Sequence, residues 1–242
     1  MAAWYGGMWT RRILLAGLAT LAGGGGAQAQ HAPAVQRVLD RARAASGGSA
    51  WSKLAGLHET GSEAGQRYER WVDLLRYGLR SETQTPAGKV VRGYNGFGAW
   101  SLLPPTANRA AETAPVLAEA RSDAFFAAHG YFFPSRFDLR SAYVGERTSG
   151  GRTFDVVRIQ PAGGEACEVW FDRKTGLPGR LVGTGARPAS VEMSDYRRAG
   201  SVLIPFRYST MGGGLAAPRE RVVEAADVRR VDRELFSLPR VP

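Results

Sequence analysis

Beyond residue 50 the chain consists mainly of short segments in which apolar and polar residues alternate, and this pattern limits the fold more than any other feature. Segments such as 68–74 and 153–159 are rich in β-branched and aromatic residues, which predicts half-buried β-strands. Turn residues such as Asn95-Gly96 and Gly150-Gly151 separate the segments. The pattern predicts an antiparallel meander of about ten strands.

Two segments break the strand rhythm and predict helices. Residues 34–46 carry apolar residues at three- and four-residue spacings and end at Gly47-Gly48, which predicts an amphipathic helix. Residues 113–130 are rich in alanine, with apolar residues at helical spacing, and predict a second helix or helical hairpin. A helical turn is expected near residues 232–239. The predicted fold class is α+β: a curved antiparallel sheet of about ten strands, an incomplete β-barrel, covered by an N-terminal helix and a helical insert.

The first 29 residues have the order of a secretory signal peptide. Arg11-Arg12 precedes an apolar run at 13–22, and four glycines lead to Ala27-Gln28-Ala29, a cleavage site of small residues. The apolar run of roughly ten residues is about half of what a membrane-spanning helix requires. We therefore expect cleavage after Ala29, a single mature domain over residues 30–242 and a location in the periplasm. The export route, general secretory or twin-arginine, stays open.

Composition limits the class of partner. The chain has 32 Lys and Arg against 22 Asp and Glu, a formal net charge of +10. The basic residues are scattered rather than concentrated in a stripe with aromatic residues, so no nucleic-acid partner is expected. Peripheral contact with anionic lipid head groups fits this charge better. The single cysteine, Cys167, forms no internal disulfide, so it is expected to be a small buried hydrophobic residue.

The sequence contains no recognisable catalytic or metal-binding motif. His58-Glu59 begins like a zinc-protease motif, but the second histidine four residues on is missing. His31 is expected in a disordered tail and His129 at a helix end. Neither Ser-x-x-Lys nor Gly-x-Ser-x-Gly is present. The sequence therefore predicts a protein that is not an enzyme and that holds no metal or cofactor. A hydrolase whose acidic residues meet only in the folded chain stays an open alternative.

Aromatic residues are the candidate functional groups. A curved sheet with aromatic residues on its concave face either fills itself or holds an apolar ligand. About ten strands offer more inner face than two helices fill, which favours a cavity, although each aromatic residue alone also fits core packing. A mobile helical lid is expected over about residues 113–133. The predicted cavity-lining residues are Trp71, Tyr94, Trp100, Phe125, Phe126 and Trp170.

Seven short segments carry a resemblance to a known group of proteins: Gly47-Gly48 followed by Trp51, then 68–71, 93–100, 170–178, 194–197, 203–206 and 235–239. Together they resemble envelope proteins related to the LolA and LolB lipoprotein carriers. The resemblance spans about residues 35–239, and it implies a half-barrel of antiparallel strands closed by helices, with a hydrophobic cavity for acyl chains. The chain departs from the dedicated carriers in its many arginines and its longer middle insert.

The leading hypothesis is a non-enzymatic periplasmic carrier or binder that holds a lipid, an acyl chain or another apolar ligand in the half-barrel cavity. Such a protein would take part in envelope lipid or lipoprotein trafficking and would exchange its ligand with an envelope membrane protein. Burial of each methylene contributes about 0.8 kcal/mol, so one long chain supplies the affinity. The alternative is an envelope scaffold with a filled core that binds another protein.

Overall fold

The computed structural model describes residues 31–104, 108–109, 113–184 and 188–238. The predicted signal peptide, residues 1–29, lies outside the described residues. The helices are α1 (Pro33–Ser46) and α2 (Ala114–Ala127), with short 3-10 helices at Gly48–Lys53, Gly130–Phe132 and Arg233–Phe236. The strands are β1 (Gly56–Glu63), β2 (Gln66–Asp73), β3 (Gly78–Thr85), β4 (Gly88–Asn95), β5 (Ala99–Leu103), β6 (Asn108–Arg109), β7 (Leu139–Ser149), β8 (Arg152–Pro161), β9 (Cys167–Asp172), β10 (Pro178–Gly183), β11 (Ala189–Ala199), β12 (Val202–Gly212) and β13 (Arg219–Val228).

All thirteen strands belong to one antiparallel sheet, in the order β6-β5-β4-β3-β2-β1-β13-β12-β11-β10-β9-β8-β7. Every neighbouring pair is also consecutive along the chain except β1 and β13, which join two meanders. The sheet is curved, but its two edge strands, β6 and β7, do not pair with each other, so it does not close into a barrel. The α+β class and the incomplete barrel are confirmed, with more strands than the ten or so expected.

The two helices cover the concave face. α1 has a proline in its first turn and ends at Gly47, whose φ of 136° favours glycine. Its apolar stripe packs on the core side of the sheet, beside β7 and β12. α2 lies in the connection between β6 and β7, and it packs against β3, β4, β5 and β8. It therefore bridges the two halves of the sheet across the open side of the half-barrel.

The strand β1 was missed by the sequence analysis. Residues 56–63 contain only one large apolar residue, Leu57, and their polar composition gave no strand pattern. Pairing with β2 on one side and β13 on the other places this segment in the centre of the sheet. Tertiary pairing thus imposes a strand where local propensity is weak.

The expectation of a disordered tail at His31 was wrong. The ring is buried, with Nδ1 2.8 Å from the Ser141 hydroxyl and Nε2 3.1 Å from the Tyr131 carbonyl oxygen. Burial lowers the pKa of this imidazole. The segment before α1 is therefore fixed to the aromatic cluster after α2 and to β7.

Candidate functional site

A cavity of about 250 Å³ lies between α2 and the inner face of the sheet. Its wall is formed by β1, β2 and β9–β13, while α2 and His129 form the opposite side. The end of the cavity at β1, β2 and β13 carries most of the charged residues, and the end at β10, β11 and β12 is mainly apolar. The main apolar residues are Leu57, Phe126, Leu181, Val191, Met193 and Ile204, and the main charged residues are Glu59, Glu63, Arg70, Asp123, Arg219 and Arg221.

Strand alternation explains why charged side chains enter the cavity. Neighbours along a strand point to opposite faces, and directly opposed residues point to the same face. Leu57 on β1 belongs to the core, so Glu59, two residues on, points inward as well. Its partner Arg70 on β2 and, further along the sheet, Arg221 on β13 share that face. The inner face is therefore charged on β1, β2 and β13 and mainly apolar on β10, β11 and β12.

The charged end contains several polar groups that are incompletely paired. Glu59 is buried, and its Oε2 lies 3.9 Å from Nη1 of Arg70. The guanidinium carbon of Arg221 lies 3.7 Å from the ring centroid of Tyr208 and 5.9 Å from that of Tyr68, which are cation–π contacts. Among the buried atoms without a hydrogen-bond partner, three lie in this group of residues: Oε2 of Glu59, the hydroxyl of Tyr68 and Nε of Arg221. Oε2 of Glu165, elsewhere in the lining, also has none.

The cavity environment shifts the pKa values of the groups that face it. Desolvation raises the pKa of Asp123 to about 6, although the charges of Arg70 and Arg221 lower it in part. Desolvation also raises the pKa of the Cys167 thiol to about 12. The buried Cys167 therefore behaves as the small hydrophobic residue that was expected, and it is a poor nucleophile because nucleophilic attack requires the thiolate.

His129 follows the end of α2, as expected, but its ring lines the cavity instead of lying at the surface. Its φ of 48° lies in the left-handed region, and its Nδ1 is 2.8 Å from the Tyr131 hydroxyl. The ring contacts Trp51 edge-on at 4.7 Å and stacks on Phe132 at 5.9 Å. Burial, with a smaller effect from Arg70, lowers the pKa of His129 to about 4. The imidazole is therefore neutral at pH 7.

Phe126, Phe125 and Tyr94 lie on or beside α2. Phe126 is in the cavity wall. Phe125 is fully buried in the core and contacts Phe126 edge-on at 5.1 Å. Tyr94, also buried, lies on β4 and packs against α2, where its hydroxyl accepts a hydrogen bond from Nε of Arg121 at 3.0 Å. These three predicted residues are thus neighbours, but only Phe126 belongs to the cavity described above.

Trp71, Trp100 and Trp170 lie on the convex face of the sheet, away from this cavity. Trp71 stacks on His58 at 5.3 Å, and the alternation in β2 points it opposite to Arg70. The Trp100 indole donates a hydrogen bond to the Phe236 carbonyl oxygen at 2.8 Å. Trp170 follows Val169 and precedes Phe171 along β9. Both neighbours belong to the core, so Trp170 points to the opposite face, where it contacts Phe154 edge-on at 5.7 Å.

Sequence reasoning missed the charged residues of the cavity. The alternating pattern gave the periodicity of each strand, but a period of two leaves open which set of residues faces inward. Tryptophans on one set and arginines on the other suggested the opposite assignment. In the part of the chain that the structure describes, no group of three His, Cys, Asp or Glu residues could hold a metal ion. No helix in the same ranges is long and apolar enough to cross a membrane.

Three solved structures share this architecture. A DUF1329 family protein from Desulfovibrio piger aligns with a TM-score of 0.55 and 13% identity. A domain described as an outer membrane lipoprotein-sorting protein from Vibrio parahaemolyticus aligns with a TM-score of 0.54 and 11% identity. A LolA superfamily protein from Nitrosomonas europaea aligns with a TM-score of 0.53 and 9% identity. Each alignment covers 84% of this chain and 97% of the other.

At these identities the likeness concerns the fold. No protein-family model and no curated protein sequence matches the chain. The chain has a LolA-like fold, as its resemblance to that group predicted.

Proposed function

We propose that this protein is a non-enzymatic binder of an apolar or acyl ligand, which it holds between α2 and the concave face of the sheet. The observation that carries the proposal is the cavity of about 250 Å³ between α2 and the inner face of the sheet. Its apolar lining comes from β1, α2, β10, β11 and β12, so a ligand there would be enclosed by both layers of the fold. Ligand sites are typically concave and mostly apolar with a few polar groups.

The cavity volume limits the size of the ligand. Pockets for small molecules usually measure roughly 300–1,000 Å³, and this cavity is slightly smaller. We therefore propose a single chain as the ligand in this conformation, with α2 acting as the lid that moves to admit it. Each methylene that enters contributes about 0.8 kcal/mol, so eight methylenes would contribute about 6 kcal/mol before the cost of ordering the ligand.

We also propose that the protein works in the cell envelope after export to the periplasm. The signal-like order of residues 1–29 supports export. The fold is shared with a lipoprotein-sorting domain and a LolA superfamily protein, which favours a carrier that exchanges its ligand with an envelope membrane protein.

Native mass spectrometry of the mature protein purified from periplasm tests the proposal directly. We expect a stoichiometric adduct whose mass, after solvent extraction, is that of an acyl-containing molecule. Ala127→Trp should abolish the adduct because Ala127 lies in the cavity wall, and the indole would occupy the space of the ligand. Ala114→Trp is the matched control, since Ala114 is exposed in the first turn of the same helix. A wild-type protein that stays free of ligand, even with added fatty acid or phospholipid, would contradict the proposal.

The alternative function is a scaffold that binds another envelope protein. Phe97 supports it, because this side chain is 75% exposed at the turn between β4 and β5. Asn95 Oδ1 accepts hydrogen bonds from the backbone N–H groups of Phe97 and Gly98, so the turn is well ordered. A clean apo mass, together with a protein partner lost in Phe97→Ala, would favour this function.

A further inference from the structure

The two arginines of β13 differ from the other arginines near the cavity in their charge environment. Arg219 and Arg221 lie two residues apart and both line the charged end. Among the described residues, no carboxylate oxygen lies within 4.0 Å of either guanidinium group. Arg70, by contrast, has the Glu59 carboxylate at 3.9 Å. The positive charge on β13 is therefore not neutralised by a direct ion pair.

Arg221 has hydrogen-bonding capacity that the described residues around it leave unused. The guanidinium plane stacks on Tyr208, which leaves its N–H groups to donate in the plane. Its buried Nε has no hydrogen-bond partner, and neither does the nearby Tyr68 hydroxyl. Buried polar atoms are nearly always hydrogen-bonded in native proteins. Two unpartnered donors beside an ion-pair-free guanidinium favour an acceptor with negative charge.

We propose that the cavity selects a single-chain amphiphile with an anionic head, a carboxylate or a phosphate. In this arrangement Arg219 and Arg221 bind the head, and the chain extends along the apolar end of the cavity. Guanidinium groups bind both head groups through paired, charge-assisted hydrogen bonds. Thr210 lies opposite Arg219 on β12 and lines the same end, so its hydroxyl is available as a further donor.

Four carboxylates line the cavity and set a condition on the proposal: Glu59, Glu63, Asp123 and Glu165. Glu63 is paired with Arg221 in the register of β1 and β13, and Asp123 faces the sheet from α2. Without the arginines this end of the cavity would repel an anion. The preference for an anionic head must therefore depend on Arg219 and Arg221, and it should be lost when their charges are removed.

Three probes with the same fourteen-carbon chain test this selectivity: tetradecanoate, tetradecyl phosphate and tetradecanol. We expect the wild-type protein to bind at least one of the two anions about tenfold or more tightly than the alcohol, as expected for hydrogen bonds to charged groups. The double variant R219Q/R221Q should bind all three with affinities within about threefold of each other, while its affinity for the alcohol is unchanged. The tighter of the two anions identifies the head group.

The matched control is R207Q. Arg207 lies on β12 next to Tyr208 but points to the outer face, where it has Glu220 at 4.0 Å. This variant removes a charge of the same kind and should keep the preference for an anion. Should R219Q/R221Q fail to fold, salt is the second measurement, since about 0.5 M NaCl should weaken anion binding but not alcohol binding.

The inference rests on the proposed function, and the probes separate the two. Binding of none of the three probes would overturn the proposed function itself. Equal binding of alcohol and anions by the wild-type protein would overturn the head-group proposal alone. So would an anion preference that survives in R219Q/R221Q or is lost equally in R207Q.

Discussion

Asp123 is solvent-exposed on α2 and lines the cavity, and the surrounding protein shifts the pKa of its carboxyl group. It lies on α2 and faces Arg70 and Arg221, yet desolvation raises its pKa from 3.8 to about 6. The folded state therefore binds a proton on this group more tightly than the unfolded chain does. The stability that this proton contributes is present at low pH and is lost as pH rises from about 4 to about 6. The lowered pKa of His129 acts in the opposite direction over an overlapping range.

Asp123→Asn should remove this pH dependence. Relative to the wild-type protein, the variant should gain free energy of unfolding as pH rises from about 4 to about 6, because its amide never ionises. Urea unfolding at a series of pH values measures the difference, in which the contribution of His129 cancels. Curves for Asp123→Asn that run parallel to those of the wild type would contradict the raised pKa.

The sequence did not predict which face of the sheet each strand side chain points to. The alternating pattern around Trp71, Trp100 and Trp170 correctly predicted strands at all three positions. Nothing in that pattern says which face is concave, because a period of two is the same for both faces. Tryptophans were assigned to the cavity on hydrophobicity alone, whereas the convex face carries its own apolar contacts, among them Trp100 with the C-terminal segment. The ligand-binding role of the predicted residues stays a prediction.

At the scale of elements, α2 is attached unevenly to the rest of the molecule. Near its middle, the Ser122 hydroxyl accepts a hydrogen bond from the Glu165 backbone N–H at 2.6 Å and donates one to the Ala118 carbonyl at 3.0 Å. Phe125, in its last turns, is fully buried. The first turn is exposed, and residues 116–120 are only partly buried. The N-terminal half of α2 is therefore the part that opens at the lowest cost.

Ser122→Ala should loosen this attachment. The substitution leaves the Glu165 N–H without its acceptor, which costs about 1–3 kcal/mol. Hydrogen exchange followed by mass spectrometry should show faster exchange in peptides from α2, with the central strands β1 and β13 unchanged. Ser194→Ala, at an exposed residue of β11, is the control and should leave exchange unaltered. Unchanged exchange in α2 would show that Ser122 does not hold the lid.

Elements with strong local signals were predicted well, and those defined by tertiary pairing were not. α1 was expected at 34–46 and is observed at Pro33–Ser46, because its apolar spacing and its glycine stop are both local. The insert was expected as a helix at 113–130 and contains α2 and a 3-10 helix. β1 was missed because its own residues are mostly polar and its place in the sheet depends on pairing with β13, which is remote in the sequence, as well as with the neighbouring β2.

At the scale of the whole molecule, helices cover at least part of both faces of the sheet. α1 and α2 cover the concave face, and the C-terminal helix Arg233–Phe236 covers part of the convex face at β3 and β4. Phe236 lies directly on Gly78, where a Cβ atom would be 2.6 Å from the phenyl ring. The Arg80 guanidinium also donates a hydrogen bond to the Leu235 carbonyl at 3.0 Å. The end of the described chain thus packs onto the first meander, far from it in sequence.

Phe236→Ala tests whether this convex contact stabilises the whole fold. Phe236 is 1% exposed, and removal of a buried phenyl ring costs about 3–5 kcal/mol through lost burial and the resulting cavity. Urea unfolding followed by tryptophan fluorescence and by far-UV circular dichroism should show this loss at coincident midpoints, because one sheet joins all the strands. Phe97→Ala removes the same group from a 75% exposed position and should cost under about 0.5 kcal/mol. Equal losses in the two variants, or separate transitions for the two signals, would mean that the C-terminal segment is a local attachment and that the half-barrel is stabilised from its concave side alone.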